Sequence, residues 1–227
     1  AWPVFSRAGP GDILLAESRE QILYTPMGMQ DSTTPAVFRQ FFDPESSTFT
    51  YLLAGERGGE AVLIDPVLEH VPQYLAAVQQ LDLRLIQAID THVHADHISG
   101  LGALRDQTAC VTMMGQQTRA DCVSRTFADG DRIRVGLSGG AGLEIEVLYT
   151  PGPTDASYSF LLGGLLFTVD TLLINGSGRT DFQNGDAGAQ YDSIFGRLLK
   201  LPDETQVYPG HDYRGIISST IGRARAN

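Results

Sequence analysis

The heptapeptide Thr-His-Val-His-Ala-Asp-His at 91–97 constrains this chain more than any other stretch. It places three imidazoles and one carboxylate directly after the apolar run at 85–89, which predicts a buried strand. Imidazole and carboxylate are the ligands that zinc and non-haem iron prefer. On an extended segment His92 and His94 point the same way, and a turn at Ala95 lets Asp96 and His97 approach from a second side. We therefore expect a site for one metal ion or two at the end of this strand.

The charge balance excludes several classes of partner. The 227 residues carry a net charge of −11, which argues against nucleic acid and against an anionic membrane surface. We find neither an apolar run of about 18 residues nor a signal peptide, so we expect no membrane segment and no targeting signal. The expected compartment is a bacterial cytoplasm or a mitochondrial matrix. Cys110 and Cys122 form no Cys-x-x-Cys pair and are expected to stay reduced.

From residue 37 onwards, strand patterns alternate with helical patterns. Ligand-type side chains recur just after the strand ends, which predicts an α/β fold: a helix–sheet–sheet–helix (αββα) sandwich with mixed β-sheets and its site along one edge. Residues 1–36 are predicted to be an N-terminal extension of unknown role, and 37–227 one domain. Strands are predicted at 37–42, 48–53, 61–65, 85–89, 110–113, 132–135, 143–149, 157–162, 165–170 and 205–208, and helices at 13–24, 71–81, 98–105, 116–122 and 191–199.

Two further ligand-type residues follow predicted strands. Asp170 closes the apolar run at 165–169, where it is either a metal ligand or a helix-cap or turn residue. His211 follows the strand at 205–208, where the alternative is an ordinary turn histidine. Four of the five histidines stand at such positions, which favours the ligand interpretation for both residues. His70 lies on a predicted surface turn and is left out.

These residues resemble the metallo-β-lactamase superfamily, whose motif is His-x-His-x-Asp-His. Four stretches narrow the resemblance to persulfide dioxygenases: residues 38–53, 61–67, Gly-Arg-Thr-Asp-Phe-Gln at 178–183 and Tyr-Pro-Gly-His-Asp-Tyr at 208–213. The likeness runs from about residue 37 to 220. It implies a metallo-β-lactamase-type αββα sandwich with one Fe(II), which oxidises glutathione persulfide, or another small thiol-derived substrate, to the thiol and sulfite. The resemblance also implies that the chain can form a homodimer.

The chain departs from that family at the metal. The family holds iron with the first histidine of the motif, the histidine of a Pro-Gly-His turn and the aspartate closing a Thr-Gly-Asp strand. These positions fall on His92, Pro153 and Asp170, and proline cannot bind a metal. Val169 stands where the family has glycine, and its β-branched side chain is stiff.

Three outcomes stay open. Iron is held by His92, His94 and Asp170 with altered geometry, or the metal moves to a second position. There it would be zinc and serve a thioester or ester hydrolase of the glyoxalase II type. In the third outcome the chain is an inactive or engineered metal-binding variant. The second position is implied by the resemblance to consist of Asp96, His97, Asp170 and His211.

Substrate contacts are predicted from the two family-specific loops, and no catalytic residue is predicted beyond the metal ligands. Arg179 is the candidate for a substrate carboxylate, with a salt bridge to Asp181 as the alternative. Tyr213 is predicted to hydrogen-bond the substrate or orient the metal loop, against simple packing. Asp212 is predicted to fix an imidazole from behind the metal.

Overall fold

The computed structural model describes residues 21–22, 34–136, 141–182 and 184–227. Four α-helices occur in these residues: α1 Val71–Gln80, α2 Leu101–Thr108, α3 Ala187–Gly196 and α4 Ile221–Ala226. Single 3₁₀ turns lie at Leu68–His70, Gln116–Thr118 and Leu198–Lys200. The strands are β1 Gln21–Ile22, β2 Val37–Asp43, β3 Thr48–Ala54, β4 Glu60–Ile64, β5 Arg84–Ile89, β6 Val111–Gly115, β7 Arg125–Phe127, β8 Arg132–Val135, β9 Leu143–Tyr149, β10 Tyr158–Leu162, β11 Leu165–Val169, β12 Gln206–Pro209 and β13 Ser219–Thr220.

The strands form two mixed sheets. The first has the order β1-β2-β3-β4-β5-β6-β7, antiparallel up to β4 and parallel from β4 to β7. The second has the order β13-β12-β11-β10-β9-β8, and in it only β11 and β12 run parallel. Parallel pairs need long crossovers. Helices α1, α2 and α3 lie in three of them, and a 3₁₀ turn lies in the crossover from β6 to β7.

Alternation along the strands builds the layers. In β3, Phe49, Tyr51 and Leu53 face the core between the sheets, whereas Leu52 and Ala54 pack towards α1 and α2. On the far side, Ile194 of α3 and Ile221 of α4 pack against the outer face of the second sheet. The αββα sandwich predicted from the sequence is therefore confirmed.

Strand direction determines where the polar side chains gather. β4 and β5 run parallel, as do β11 and β12, and within each pair the carboxyl ends meet at the same edge. Asp65 follows β4, the motif loop 91–97 follows β5, Asp170 follows β11, and His211 follows β12. An antiparallel bridge between Thr48 of the first sheet and His211 of the second joins the two groups.

Several local predictions were wrong. Gln21–Ile22, inside the helix predicted at 13–24, is a strand on β2, and the rest of that segment lies outside the described residues. The helix predicted at 116–122 is one 3₁₀ turn, which ends at Arg119 in a left-handed conformation. Elements β7, β13 and α4 were missed because two to six residues are too short to show a period. None of the described helices is long and apolar enough to cross a membrane.

Candidate metal centre

The motif loop places its three histidines in one buried group. The ring centroids of His92 and His94 are 4.2 Å apart, and so are those of His94 and His97. Each imidazole side chain is no more than 3 % exposed. Three adjacent rings shielded from water need fixed polar partners, because burial of an unpaired polar group is costly.

Asp65 supports the loop from beneath. Its Oδ1 lies 3.1 Å from His94 Nε2, and the backbone N–H and hydroxyl of Thr91 donate to the same carboxylate at 2.8 and 2.9 Å. Burial disfavours both charges, but the attraction between Asp65 and His94 outweighs it. The pKa of Asp65 is therefore lowered and the pKa of His94 is raised to about 9. Asp65 thus fixes the Nε2 side of the ring and leaves Nδ1 for another partner.

Two buried ring nitrogens lack a hydrogen-bond partner within the described part of the chain: His94 Nδ1 and His97 Nε2. The Asp96 carboxylate is close to both histidines, 4.0 Å from His94 Nδ1 and 2.8 Å from His97 Nδ1. One ligand atom from each of these three residues lies within 4.8 Å of the others. The residues therefore fit a metal ion, which would satisfy the nitrogens and replace the proton at His94 Nδ1. Two imidazoles and one carboxylate are the donor set typical of non-haem Fe(II) sites.

The remaining predicted ligands join this group. His211 Nδ1 lies 2.6 Å from Asp170 Oδ1, and its Nε2 lies 3.1 Å from Asp96 Oδ2. Burial opposes a charge on His211, but these two carboxylates outweigh burial and raise its pKa to about 10. His92 Nε2 is 3.6 Å from Asp170 Oδ2. Burial and the neighbouring His94 lower the pKa of His92 to about 4, so its ring is neutral near pH 7.

Comparison with known proteins identifies the family of this chain. The model of the metallo-β-lactamase superfamily matches residues 43–211. The human mitochondrial persulfide dioxygenase ETHE1 is 42 % identical over 197 residues, which are 86 % of this chain and 75 % of the human protein. The crystal structure of ETHE1 from Myxococcus xanthus is 51 % identical, with a TM-score of 0.79 over 83 % of this chain and 81 % of that one. The chain belongs to the metallo-β-lactamase superfamily, and within it to the persulfide dioxygenases.

A hydroxyacylglutathione hydrolase from a Polaromonas strain is also similar, at 36 % identity over 170 residues, 73 % of this chain and 62 % of the hydrolase. Membership of the persulfide dioxygenase family and the ligand-type residues at this sheet edge together indicate a metal cofactor. The superfamily motif and the additional ligand-type residues Asp170 and His211 all belong to the one cluster.

Two positions beside the cluster depart from the family pattern described above. Pro153, at the position where the sequence predicts a lost iron ligand, is buried and lines the cavity in front of the cluster. Val169 has a φ of 48°, in the left-handed region that β-branched residues avoid. Glycine would adopt this conformation without strain. Both departures lie on the side of the second sheet.

A cavity of about 430 Å³ opens in front of the cluster and contains both predicted substrate contacts. The Arg179 guanidinium donates to both Asp181 oxygens, at 2.7 and 2.8 Å, and lies 5.9 Å from the Phe182 ring centroid. The Tyr213 ring stacks parallel to His211 and is 70 % exposed. The cavity is lined by His92, Ala95, Asp96, Pro153, Thr154, Asp170, Leu173, Ser177, Gly178, Arg179, Phe182, His211 and Tyr213.

Asp212 has a different place from the one predicted. Its Oδ1 accepts hydrogen bonds from the backbone N–H groups of Arg214, Gly215 and Ile216, so it caps a turn. The carboxylates that contact the His211 ring are those of Asp170 and Asp96, not that of Asp212.

Sequence reasoning missed Asp65 and Thr48. Asp65 ends an apolar strand as Asp170 does, so the same signal was present. The Thr48 hydroxyl lies 2.8 Å from Asp96 Oδ2 and 3.3 Å from His211 Nε2, and no local pattern marks it.

Proposed function

We propose that this protein is a persulfide dioxygenase acting on glutathione persulfide. The reaction consumes one persulfide, one O₂ and one water, and yields glutathione and sulfite. The outer sulfur loses four electrons to O₂, and the sulfur–sulfur bond is broken. The observation that carries the proposal is the set of two imidazoles and one carboxylate at His94, Asp96 and His97. Asp96 also lines a cavity of about 430 Å³, together with His92, Asp170 and His211.

Iron(II) is the proposed cofactor, held by His94, Asp96 and His97. The two partnerless nitrogens and the orienting carboxylate of Asp65 support these three residues as ligands. His92, Asp170 and His211 remain as further donors on the same cavity. Bound iron(II) supplies open positions for a thiolate and for O₂, together with the electron transfer that couples them.

The cavity wall supports a small thiol substrate. Leu173, Phe182 and Tyr213 offer apolar surface to the carbon chain and displace water from it. The neutral His92 ring has a lone pair that can accept a proton from the substrate thiol. Arg179 is held in place by Asp181, so it presents an oriented but partly neutralised charge.

The test is metal content followed by turnover. Protein expressed with iron and zinc both present is analysed by inductively coupled plasma mass spectrometry. Oxygen uptake and sulfite are then measured with glutathione persulfide. We expect near-stoichiometric iron and one sulfite per O₂ consumed. Bound iron without persulfide-dependent oxygen uptake would contradict the proposal.

A zinc-dependent thioester hydrolase is the second candidate. It is favoured because Asp96 contacts both His97 and His211, so residues expected at the second metal position lie together. Pro153, in contrast, offers no ligand to the first position. Zinc in the purified protein, with hydrolysis of S-lactoylglutathione and no oxygen uptake, would establish this function instead. Absence of metal and of both activities would indicate the inactive variant.

A further inference from the structure

A second cavity of about 430 Å³ adjoins the first, and we call it the tail cavity. The two cavities are lined by neighbouring residues. Thr154 lines both of them. Ala95 and Phe182 line the first cavity, and Val93 and Asn184, two residues away from each in the sequence, line the tail cavity. A molecule bound at the metal cluster thus reaches the tail cavity by passing over Thr154. The tail cavity is lined by Val93, Gln117, Thr118, Arg119, Thr154, Asp155, Ala156 and Asn184.

Arg119 is the cation of the tail cavity. It ends the 3₁₀ turn Gln116–Thr118 with a φ of 52°, and its guanidinium has no hydrogen-bond or ion-pair partner among the described residues. The guanidinium of Arg179 in the first cavity, by contrast, already donates two hydrogen bonds to the Asp181 carboxylate. An unpaired guanidinium in a concave site is the better partner for an incoming carboxylate, which it grips with two hydrogen bonds.

Asp155 supplies the opposite charge on the same cavity. Its side chain is exposed and has only a long contact, 3.5 Å, with the Asn184 amide. Gln117 is oriented by the Tyr158 hydroxyl, which donates to Gln117 Oε1 and leaves the amide N–H groups for a ligand. The cavity therefore combines one cation, one anion and neutral amide donors.

We propose that the tail cavity binds the zwitterionic α-amino-acid end of the thiol substrate, with its carboxylate on Arg119 and its ammonium on Asp155. The inference deepens the proposed function and depends on it for the sulfur end of the same molecule. A peptide spans roughly 3.5 Å per residue, so a tripeptide-sized thiol of about 10 Å is long enough to occupy both cavities.

The experiment measures binding instead of turnover, so that the two proposals fail separately. S-methylglutathione, which has no reactive sulfur, is titrated by calorimetry into the purified protein with its metal. We expect Arg119→Ala to weaken binding roughly tenfold, as loss of a charge-assisted pair does. Arg125→Ala is the matched control, because Arg125 is exposed on β7 and lines neither cavity. It should bind as the unaltered protein does.

Asp155→Asn tests the other charge. It should weaken binding of S-methylglutathione but not of its N-acetylated form, which has lost the ammonium. The proposal is overturned by equal binding in Arg119→Ala and the unaltered protein, by equal weakening in Arg119→Ala and Arg125→Ala, or by no binding at millimolar ligand. Intact selectivity without oxygen uptake would remove the dioxygenase function and leave the tail cavity established.

Discussion

Two loops at the same sheet edge face one cavity and are built in opposite ways. The motif loop 91–97 carries four ligand-type side chains and is supported from beneath by the carboxylate of Asp65. The segment 150–154, which begins the loop between β9 and β10, carries no ligand-type side chain. It is fixed through its backbone, because Thr171 and Ser193 donate to the carbonyls of Thr150 and Pro151 at 2.8 and 2.6 Å. The comparison teaches that one loop keeps a supported set of donors while the other serves as a wall.

The largest effect should follow from emptying the motif loop. We expect His97→Ala and His94→Ala each to lower metal affinity by more than about 100-fold, since each removes a proposed ligand and not merely the support of one. Metal per protein, measured by mass spectrometry after dialysis, checks this. His70→Ala is the matched control, because His70 contacts Asp43 and none of the proposed ligands. Full metal content in His97→Ala would show that the donors act elsewhere.

Giving the wall loop a donor should have the next largest effect. Pro153→His places an imidazole beside His92 and Asp170, so the affinity for iron, measured by its retention against a chelator, and persulfide-dependent oxygen uptake should both rise severalfold. Pro153→Asn removes the proline ring without adding an imidazole and should leave both unchanged. If neither quantity changes in Pro153→His, then Pro153 does not limit iron binding or oxygen uptake.

Val169 allows a stability test of the wall side. A protein with glycine inside a strand or helix is normally less stable than one with alanine there. At the φ of 48° that Val169 adopts, however, the Cβ atom itself causes strain. Both Val169→Ala and Val169→Gly lose the two γ-methyl groups, and Val169→Gly also loses the strained Cβ atom. The Val169→Gly protein should therefore be more stable than Val169→Ala by about 1 kcal/mol in urea unfolding. The usual order is expected at Val78 in α1, where the same two substitutions serve as the control. A Val169→Ala protein more stable than the Val169→Gly protein would contradict backbone strain at this position.

The smallest effect concerns the approach to the motif loop. Asp43 is partly buried, but hydrogen bonds from Ser46 and His70 outweigh that burial and lower its pKa to about 2. Its folded pKa lies below its ordinary value, so its contribution to stability is present above about pH 4 and is lost as the pH falls towards 2. Asp43→Asn should therefore flatten the decline of the unfolding free energy between pH 4 and 2. Parallel acid titrations of both proteins would reveal an unchanged slope if this is wrong.

The layers and the site edge were predictable because they depend on local signals. Runs such as 61–64 and 165–169 are apolar, and polar ligand-type residues follow them, so strand ends and ligands coincide. The position of Asp65 against His94 was not predictable, because it depends on which strands are neighbours. The left-handed backbone at Val169 was hidden for a similar reason, because it lies at a register shift between β11 and β12 that no local pattern marks.

Thr48 connects the two halves of the molecule at the centre of the site. It begins β3 of the first sheet, bridges to His211 of the second, and its single hydroxyl lies within 3.4 Å of Asp96, His97 and His211. The hydroxyl donates its one proton to Asp96 Oδ2, and its lone pairs remain for an N–H donor such as the protonated His211 ring. A small slide of one sheet over the other would lengthen one of these contacts. The alignment of the two sheets is thereby linked to the hydrogen bonds that orient Asp96 and His211.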